Sequence, residues 1–356
     1  MWNILRHRLS SSRSLRLRFA SIALAFCGLL LSAWPHAATP VWAEEKLTIY
    51  SGRAERLIKP VLDSFTAKTG IQIDLLSSGT TELVNRLKIE GDRSPADLFI
   101  TNDAGSLEIA RTAGLLRPLN MREIDRAIPS QFRAADNSWI GLSGRFWIIA
   151  YNTTLVKPDQ VKSLLDLANA EWKDKIAIPN SGSEYLQAGV SVIRASVGDE
   201  RTKSFLQGLR DNAGSQVYQK SSQIVEAIAK GQVAIGIVNH YYVYRHLAAQ
   251  PTAPLAVLMP DQHEGGMGAI MNVAGVGILK HTPRLDNAKL LVEFLVAQAG
   301  QKMFADLDKE YPLHPEVKAD PALVERKSFR AALVPLTKLA ELREPTQLLI
   351  EQVGLR

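Results

Sequence analysis

A neighbouring pair of tyrosines, Tyr241 and Tyr242, is the strongest candidate for chemistry in this chain of 356 residues. The pair lies in IVNHYYVYRHL, which is crowded with phenols and imidazoles although aromatic residues make up only 7% of the sequence. It directly follows the apolar strand pattern QVAIGIVN and precedes a segment that can form a helix. Binding groups of parallel sheets commonly lie beyond the carboxyl ends of strands. This position favours a binding role, and the alternative is that one tyrosine packs in the core while the other is exposed.

Two adjacent phenols suit a small set of ligands. A free phenol has a pKa of about 10, so it is a poor metal ligand at neutral pH. A highly charged cation reverses this because it stabilises the deprotonated oxygen directly. Ferric iron is the physiological cation that is hard and charged enough to favour phenolate. Three phenolates would neutralise Fe³⁺, whereas two would leave a positive charge that needs an anion. Binding is expected to weaken as the pH falls, because ligation releases protons.

The first 43 residues have the layout of a secretory signal. Five arginines and no acidic residue accompany the apolar run FASIALAFCGLLLSAW, and Val41 and Ala43 place small residues before a cleavage site. The run falls short of the roughly 20 apolar residues that span a bilayer, so we expect removal after Ala43 rather than retention as a membrane anchor. The sequence therefore predicts a periplasmic protein. Removal would also take away Cys27, the single cysteine, and with it any disulfide or thiolate metal site.

Removal of this segment also changes the charge of the protein. The whole chain has 42 basic and 36 acidic residues, but the predicted mature chain has only 37 basic residues because five arginines leave with the signal. A nearly neutral mature chain does not predict a basic surface for nucleic acid.

The elements that must position the tyrosines alternate between strand and helix. KLTIY, IQIDLLS and ADLFIT have strand character, and each is followed by apolar residues at helical spacing. The pattern recurs after residue 175, which indicates two α/β lobes, each with a parallel sheet covered by helices. RFWIIAYN and VAGVGILK are candidate crossover strands between the lobes, and the cleft between lobes is then the expected ligand site. We expect a signal peptide at 1–43, the first part of lobe 1 at 44–145, lobe 2 at 146–275, and the return to lobe 1 with the C-terminal helices at 276–356.

Several motifs together resemble those of one known family, the periplasmic ferric-ion-binding proteins of the bacterial transferrin type. The motifs are LTIYSGR, EGDRSPADLFIT, LSGRFWIIAYN, NHYYVYR and EYPLHP, and they run through nearly the whole predicted mature chain. These proteins are the substrate-binding components of iron(III) ABC transporters. The resemblance implies a monomeric two-lobed protein that closes on Fe³⁺ and delivers it to an inner-membrane ABC permease. It implies neither catalysis nor nucleic-acid binding.

The resemblance also implies roles for individual residues. Tyr241 and Tyr242 match the tyrosine pair that binds the metal, and Tyr185 in PNSGSEYLQ matches a third tyrosine ligand used by one subset of the family. Arg145 in LSGRF stands where family members hold a synergistic anion such as carbonate, and Arg53 in YSGRAE could assist. A salt bridge on the surface or between the lobes is the alternative role for Arg145.

The chain departs from the family pattern at two places. Ala54 and Glu55 stand where some members have a histidine or tyrosine ligand, so Glu55 is a tentative carboxylate ligand; its alternative is a solvated acid at a helix start. Asn102, with Asp103 adjacent, replaces a glutamate ligand after the third strand. These departures favour the tyrosine-rich, anion-assisted variety of the site.

Two rival functions remain open from the sequence. A protein of the same fold could bind a small organic solute such as a polyamine, thiamine or a phosphonate, with the tyrosine pair stacked on the cargo. A secreted enzyme would need a positioned nucleophile and base, which these residues do not supply. The sequence also has no zinc-ligand spacing, no phosphate-binding loop and no Gly-x-Ser-x-Gly elbow.

Overall fold

The computed structural model describes residues 46–355, so the predicted signal, with Cys27 and the cleavage point after Ala43, lies outside the described residues. Within this range the chain forms ten strands and eleven α-helices. The strands are β1 Lys46–Ser51, β2 Gln72–Ser77, β3 Leu98–Thr101, β4 Ile140–Asn152, β5 Ile176–Pro179, β6 Val217–Tyr218, β7 Ile235–Asn239, β8 Leu255–Leu258, β9 Met271–Ile278 and β10 Tyr311–Pro312. The helices are α1 Glu55–Thr69, α2 Thr80–Glu90, α3 Ala104–Thr112, α4 Arg122–Ala127, α5 Glu184–Val197, α6 Asp199–Ala213, α7 Ser221–Ala229, α8 His240–Ala249, α9 Leu285–Val296, α10 Gln298–Asp308 and α11 Leu339–Val353.

The amino-terminal half of the sheet follows the predicted alternation of strand and helix. Strand β1 pairs in parallel with both β2 and β3. Helix α1 buries its apolar residues at helical spacing against this sheet and ends at Gly70, whose φ of 79° lies in the left-handed region. The predicted strands and helices of this half are therefore confirmed.

The second half of the sheet is joined to the first through one long strand. Strand β5 pairs in parallel with β6 and β7. The first part of β4, Ile140–Phe146, pairs antiparallel with β9, and the next part, from Trp147 to Tyr151, pairs antiparallel with β7. Strand β4 thus changes partner between Phe146 and Trp147, within the segment predicted to cross between the lobes. The sheet is mixed rather than purely parallel, because β4 and β9 both run against their neighbours.

The mixed α/β architecture agrees with the predicted fold class. The order of the sheet is β2-β1-β3-β9-β4-β7-β5-β6, with β8 and β10 also paired to β4. The lobe boundaries at 145/146 and 275/276 stay predictions. None of the helices in residues 46–355 has both the length and the apolar character that a membrane span requires.

Candidate functional site

Tyr241 and Tyr242 lie at the start of α8, directly beyond the carboxyl end of β7. All five residues of β7 are buried, so the apolar strand fixes the point at which the helix begins. Tyr241 is 1% exposed and Tyr242 is half-buried, and their ring centroids are 4.4 Å apart with an interplanar angle of 32°. The two phenols therefore lie side by side, as the position after the strand predicts.

His240 anchors the first turn of α8 from behind the tyrosines. Its Nδ1 accepts a hydrogen bond from the Phe146 amide at 3.2 Å, and its Nε2 lies 2.9 Å from the Lys309 carbonyl oxygen, to which it donates. Burial lowers the pKa of His240 to about 4, so the imidazole is neutral at neutral pH. Because both ring nitrogens are occupied, His240 holds the helix in place and is not free to bind a ligand.

Tyr185 joins the tyrosine pair from a different element. It is the second residue of α5, which Ser183 caps by accepting a hydrogen bond from the Leu186 amide at 3.4 Å. The Asn102 Nδ2 atom donates to the Tyr185 hydroxyl at 3.3 Å and also to the Gly52 carbonyl oxygen at 3.1 Å. In the sequence Asn102 is only a departure from a family pattern, whereas in the structure it contacts the hydroxyl of the third tyrosine.

The surroundings of Tyr185 and Tyr241 raise the pKa of both phenols. Burial raises the pKa of Tyr185 to about 12, and the Tyr242 phenol adds to this, whereas Arg145 and a hydrogen bond from Tyr241 lower it. Burial also raises the pKa of Tyr241 well above its ordinary value, and the other two phenols raise it further. The rings of Tyr241 and Tyr242 are adjacent, and Tyr185 and Tyr241 each influence the pKa of the other. The structure therefore brings the three tyrosines together. A ligand that ionises them must supply strong positive charge.

Arg145 is a buried cation with no hydrogen-bond partner in residues 46–355. It lies on β4, is 1% exposed, and its guanidinium carbon is 5.2 Å from the centroid of the Tyr185 ring. Within the described residues, none of its three guanidinium nitrogens has a hydrogen-bond partner. Burial by itself lowers the pKa of Arg145, but the nearby Tyr185, Tyr241 and Glu310 outweigh it and raise the pKa. Arg145 therefore stays charged.

The unpartnered donors extend around one small cavity, called here the Arg145 cavity. Its wall includes Arg145, Trp147, Tyr185, Asn239 and Leu339. In the described part of the chain, the indole Nε1 of Trp147 and the side-chain Nδ2 of Asn239 also lack acceptors. Because buried donors are nearly always paired, this concentration of N–H groups without acceptors among the described residues is unusual.

Arg53 is equally buried but is held by carboxylates. Its Nη1 and Nη2 donate to Glu310 Oε2 at 3.1 Å, and Nη2 donates to Asp308 Oδ2 at 2.8 Å. The Ser143 hydroxyl donates to the same Glu310 oxygen. Only Nε of Arg53 is unpartnered among the described groups. Asp308 and Glu310 are not among the residues predicted from the sequence, although Glu310 begins the motif EYPLHP.

The acidic candidates from the sequence lie in different settings. Glu55 is exposed at the first residue of α1. Asp103 is buried and caps α3 by accepting from the amides of Gly105 and Ser106 at 3.3 and 2.8 Å, and it pairs with Arg343. Its oxygens are thus occupied by the fold. Across residues 46–355, histidine, cysteine, aspartate and glutamate side chains form no cluster of three or more that could hold a metal ion.

The chain is similar to characterised bacterial proteins over most of its length. It matches the family described as bacterial extracellular solute-binding protein over residues 93–332. It is 30% identical over 337 residues to iron uptake protein A1 of Synechocystis sp., covering 93% of this chain and 92% of that protein. It is also 30% identical over 332 residues to the major ferric iron-binding protein of Neisseria meningitidis, covering 92% of this chain and 98% of that protein.

A solved structure supports the same relationship. The Trichodesmium protein FutA, in complex with iron and citrate, superposes with a TM-score of 0.77 at 29% identity. The match covers 87% of this chain and 100% of the other. Two-lobed binding proteins thus share the fold described above.

Proposed function

Since the chain belongs to the bacterial extracellular solute-binding protein family, we propose that it is a periplasmic carrier of ferric iron for an inner-membrane ABC permease. One observation carries the proposal: three phenols, of Tyr185, Tyr241 and Tyr242, meet beside a buried arginine that has no partner among the described residues. Relatives named for iron uptake and ferric iron binding support the choice of cargo.

The proposed ligands are the three phenolate oxygens. Their combined charge of −3 balances the +3 charge of Fe³⁺. The cation thus offsets the burial that raises the pKa of Tyr185 and Tyr241. Arg145 then adds a fourth positive charge to the site, which calls for an anion. A carbonate or a carboxylate suits the planar guanidinium because it can accept two parallel hydrogen bonds.

The Arg145 cavity supplies the rest of the anion site in this proposal. The free donors of Trp147 and Asn239 line the same wall as the guanidinium. Arg53 contributes only through its free Nε, since carboxylates occupy its other two nitrogens. Glu55 is left outside the proposed ligand set, because its carboxylate is exposed at the first residue of α1.

Metal entry requires the lobes to separate. The Asn102–Tyr185 hydrogen bond links the turn after β3 to α5, which lies between β5 and β6 in the second half of the sheet. A metal that binds the phenols better when these elements are together shifts the population towards the closed form. Protonation of the phenolates or reduction to Fe²⁺ would favour release at the permease.

A spectroscopic titration tests the proposal. The protein without its predicted signal is titrated with Fe³⁺, with and without bicarbonate, and the visible phenolate-to-iron charge-transfer band is recorded. We expect a band in the wild type and its loss in Tyr241→Phe/Tyr242→Phe. Tyr244→Phe is the matched control, because Tyr244 lies on the same helix but its hydroxyl accepts from the Val324 amide. A colourless wild type, or an unchanged band in the double variant, would exclude this function.

A further inference from the structure

The C-terminal helix α11 contacts two elements that surround Tyr185. Arg343 donates to the Ser106 hydroxyl at 3.0 Å and pairs with Asp103, both at the start of α3. Thr346 Oγ1 lies 3.1 Å from the Ser191 hydroxyl oxygen on α5, and both residues are buried. One helix thus joins the turn that follows Asn102 to the helix that carries Tyr185.

A third polar contact extends from α11 to the loop before Tyr185. The Gln347 Nε2 atom donates to Gln187 Oε1 at 3.1 Å. The Gln187 Nε2 atom then donates to the Ser181 carbonyl oxygen at 3.0 Å. Helix α11 therefore contacts the first turn of α5 through Gln187 and the middle of α5 through Ser191. Through Gln187 it is also linked to the loop before Tyr185.

The beginning of α11 reaches the proposed site itself. Leu339, its first residue, forms part of the wall of the Arg145 cavity. Leu339 also packs so closely on α3 that a Cβ atom added at Gly105 would lie 3.1 Å from Leu339 Cβ. The small residue at position 105 allows this close approach. Helix α11 is thus packed directly against the elements that define the position of Tyr185.

From these contacts we propose that Arg343, Thr346 and Gln347 are positioning residues for Tyr185. They hold the first turn of α5 against the Asn102 turn, which sets the Tyr185 hydroxyl where the third phenolate ligand is needed. The assignment of Tyr185 as a metal ligand rests on the proposed function, whereas the contacts that position it do not. The apolar residues Leu349 and Ile350 supply the packing of α11, so the polar contacts can be removed without removing the helix.

The first experiment is a double-mutant cycle on the ferric charge-transfer band. We expect Thr346→Val/Gln347→Met to reduce the band to the level of Tyr185→Phe and to weaken Fe³⁺ binding by about fivefold, the effect of a lost hydrogen bond. Added to Tyr185→Phe, the same two substitutions should cause no further loss. Thr346→Ser, which keeps the hydroxyl, should restore the band. The proposal is overturned if Thr346→Val/Gln347→Met keeps the full band. It is also overturned if these substitutions weaken Fe³⁺ binding as much in the Tyr185→Phe background as in the wild type.

A second experiment needs no iron. Amide hydrogen exchange at residues 186–188 should become about fivefold faster in Thr346→Val/Gln347→Met. The control is Glu344→Gln, on the exposed face of α11, and it should leave exchange unchanged. Unchanged exchange in the variant overturns the positioning role. If wild-type protein gives no ferric band, the proposed function fails, while the exchange result still decides whether α11 positions α5.

Discussion

Two buried arginines, Arg53 and Arg145, differ in whether nearby carboxylates pair with them. Each is 1% exposed. Arg53 is neutralised by Asp308 and Glu310, whereas Arg145 has no hydrogen-bond partner among the described residues. A buried charge is costly unless it is paired, and within residues 46–355 only Arg53 of these two has carboxylate partners. We propose from this contrast that Arg53 stabilises the fold and that Arg145 binds a ligand.

The two arginines also lie close enough to influence each other. Arg53 is among the groups that lower the pKa of Arg145, and Glu310 is among those that raise it. The carboxylates around Arg53 therefore moderate the positive potential near the phenols. Four predictions follow from the contrast, and each either strengthens or breaks it.

The largest expected effect comes from removing the paired arginine. Arg53→Met leaves two carboxylates buried without their cation, and we expect the free energy of unfolding to fall by about 3–5 kcal/mol. Urea unfolding without iron measures it. Arg145→Met is the matched variant and should change stability by less than about 1 kcal/mol, or increase it, because it removes a charge that has no partner. Equal losses in the two variants would contradict the comparison.

The next effect concerns iron rather than stability. Arg145→Met should weaken Fe³⁺ binding by about 10–100-fold and remove its dependence on bicarbonate. Arg145→Lys keeps the charge but cannot offer two parallel donors, so it should restore only part of the affinity. Fe³⁺ titrations with and without bicarbonate provide the measurement. If Fe³⁺ binding by Arg145→Met still depends on bicarbonate as in the wild type, Arg145 does not bind the anion.

The Arg53 cluster should also leave a signature in the pH dependence of stability. Burial raises the pKa of Asp308 to about 6, Glu310 adds to the rise, and Arg53 opposes it. Between about pH 4, the ordinary value for aspartate, and about pH 6, the folded chain binds more protons than the unfolded chain. Stability should therefore fall as the pH rises through this window, by about 2 kcal/mol.

Two variants isolate the Asp308 contribution. Asp308→Asn should flatten the change in unfolding free energy between pH 4 and pH 6, because the titrating carboxyl is gone. Asp306→Asn, on the exposed face of the same helix, should keep the slope. A slope that persists in Asp308→Asn would assign the dependence to another group.

The smallest effect is expected at Glu55. Its carboxylate is exposed at the start of α1, so Glu55→Gln should change Fe³⁺ affinity by less than about twofold, as surface substitutions usually do. Asp63→Asn, exposed on the same helix, is the control. A tenfold loss of Fe³⁺ affinity in Glu55→Gln would show instead that this carboxylate binds the metal. Its negative charge would then take the place of part of the charge assigned to the anion at Arg145.

Local pattern was sufficient for the elements and for part of the site. Apolar spacing predicted the strand before Tyr241 and the helix that begins beside it, because burial of an alternating or helical face depends on nearby residues. The same reasoning placed Arg145 on the crossover strand. Local pattern also predicts a helix that begins near Asp103, but it does not predict that Asp103 caps this helix.

The pairing of distant groups could not be read from local pattern. Arg53 and Asp308 are 255 positions apart. The sequence predicts that Arg53 could assist in holding an anion, whereas in the structure two carboxylates bond its Nη1 and Nη2 atoms. The Asn102–Tyr185 bond spans 83 positions, and the contacts of α11 with α5 span still more. Such contacts depend on how strands and helices stack, which periodicity does not specify.

Sequence by itself determined the α/β elements, the phenol pair and the hard-oxygen chemistry that such a pair supports, because these depend on residue type and short-range spacing. Only the tertiary structure decided that Arg53 is paired with carboxylates while Arg145 has no hydrogen-bond partner in the part of the chain that the structure describes. The electrostatic cost of a buried charge depends on its surroundings, which the sequence does not specify. The tertiary structure also decided that the C-terminal helix packs between the elements around Tyr185.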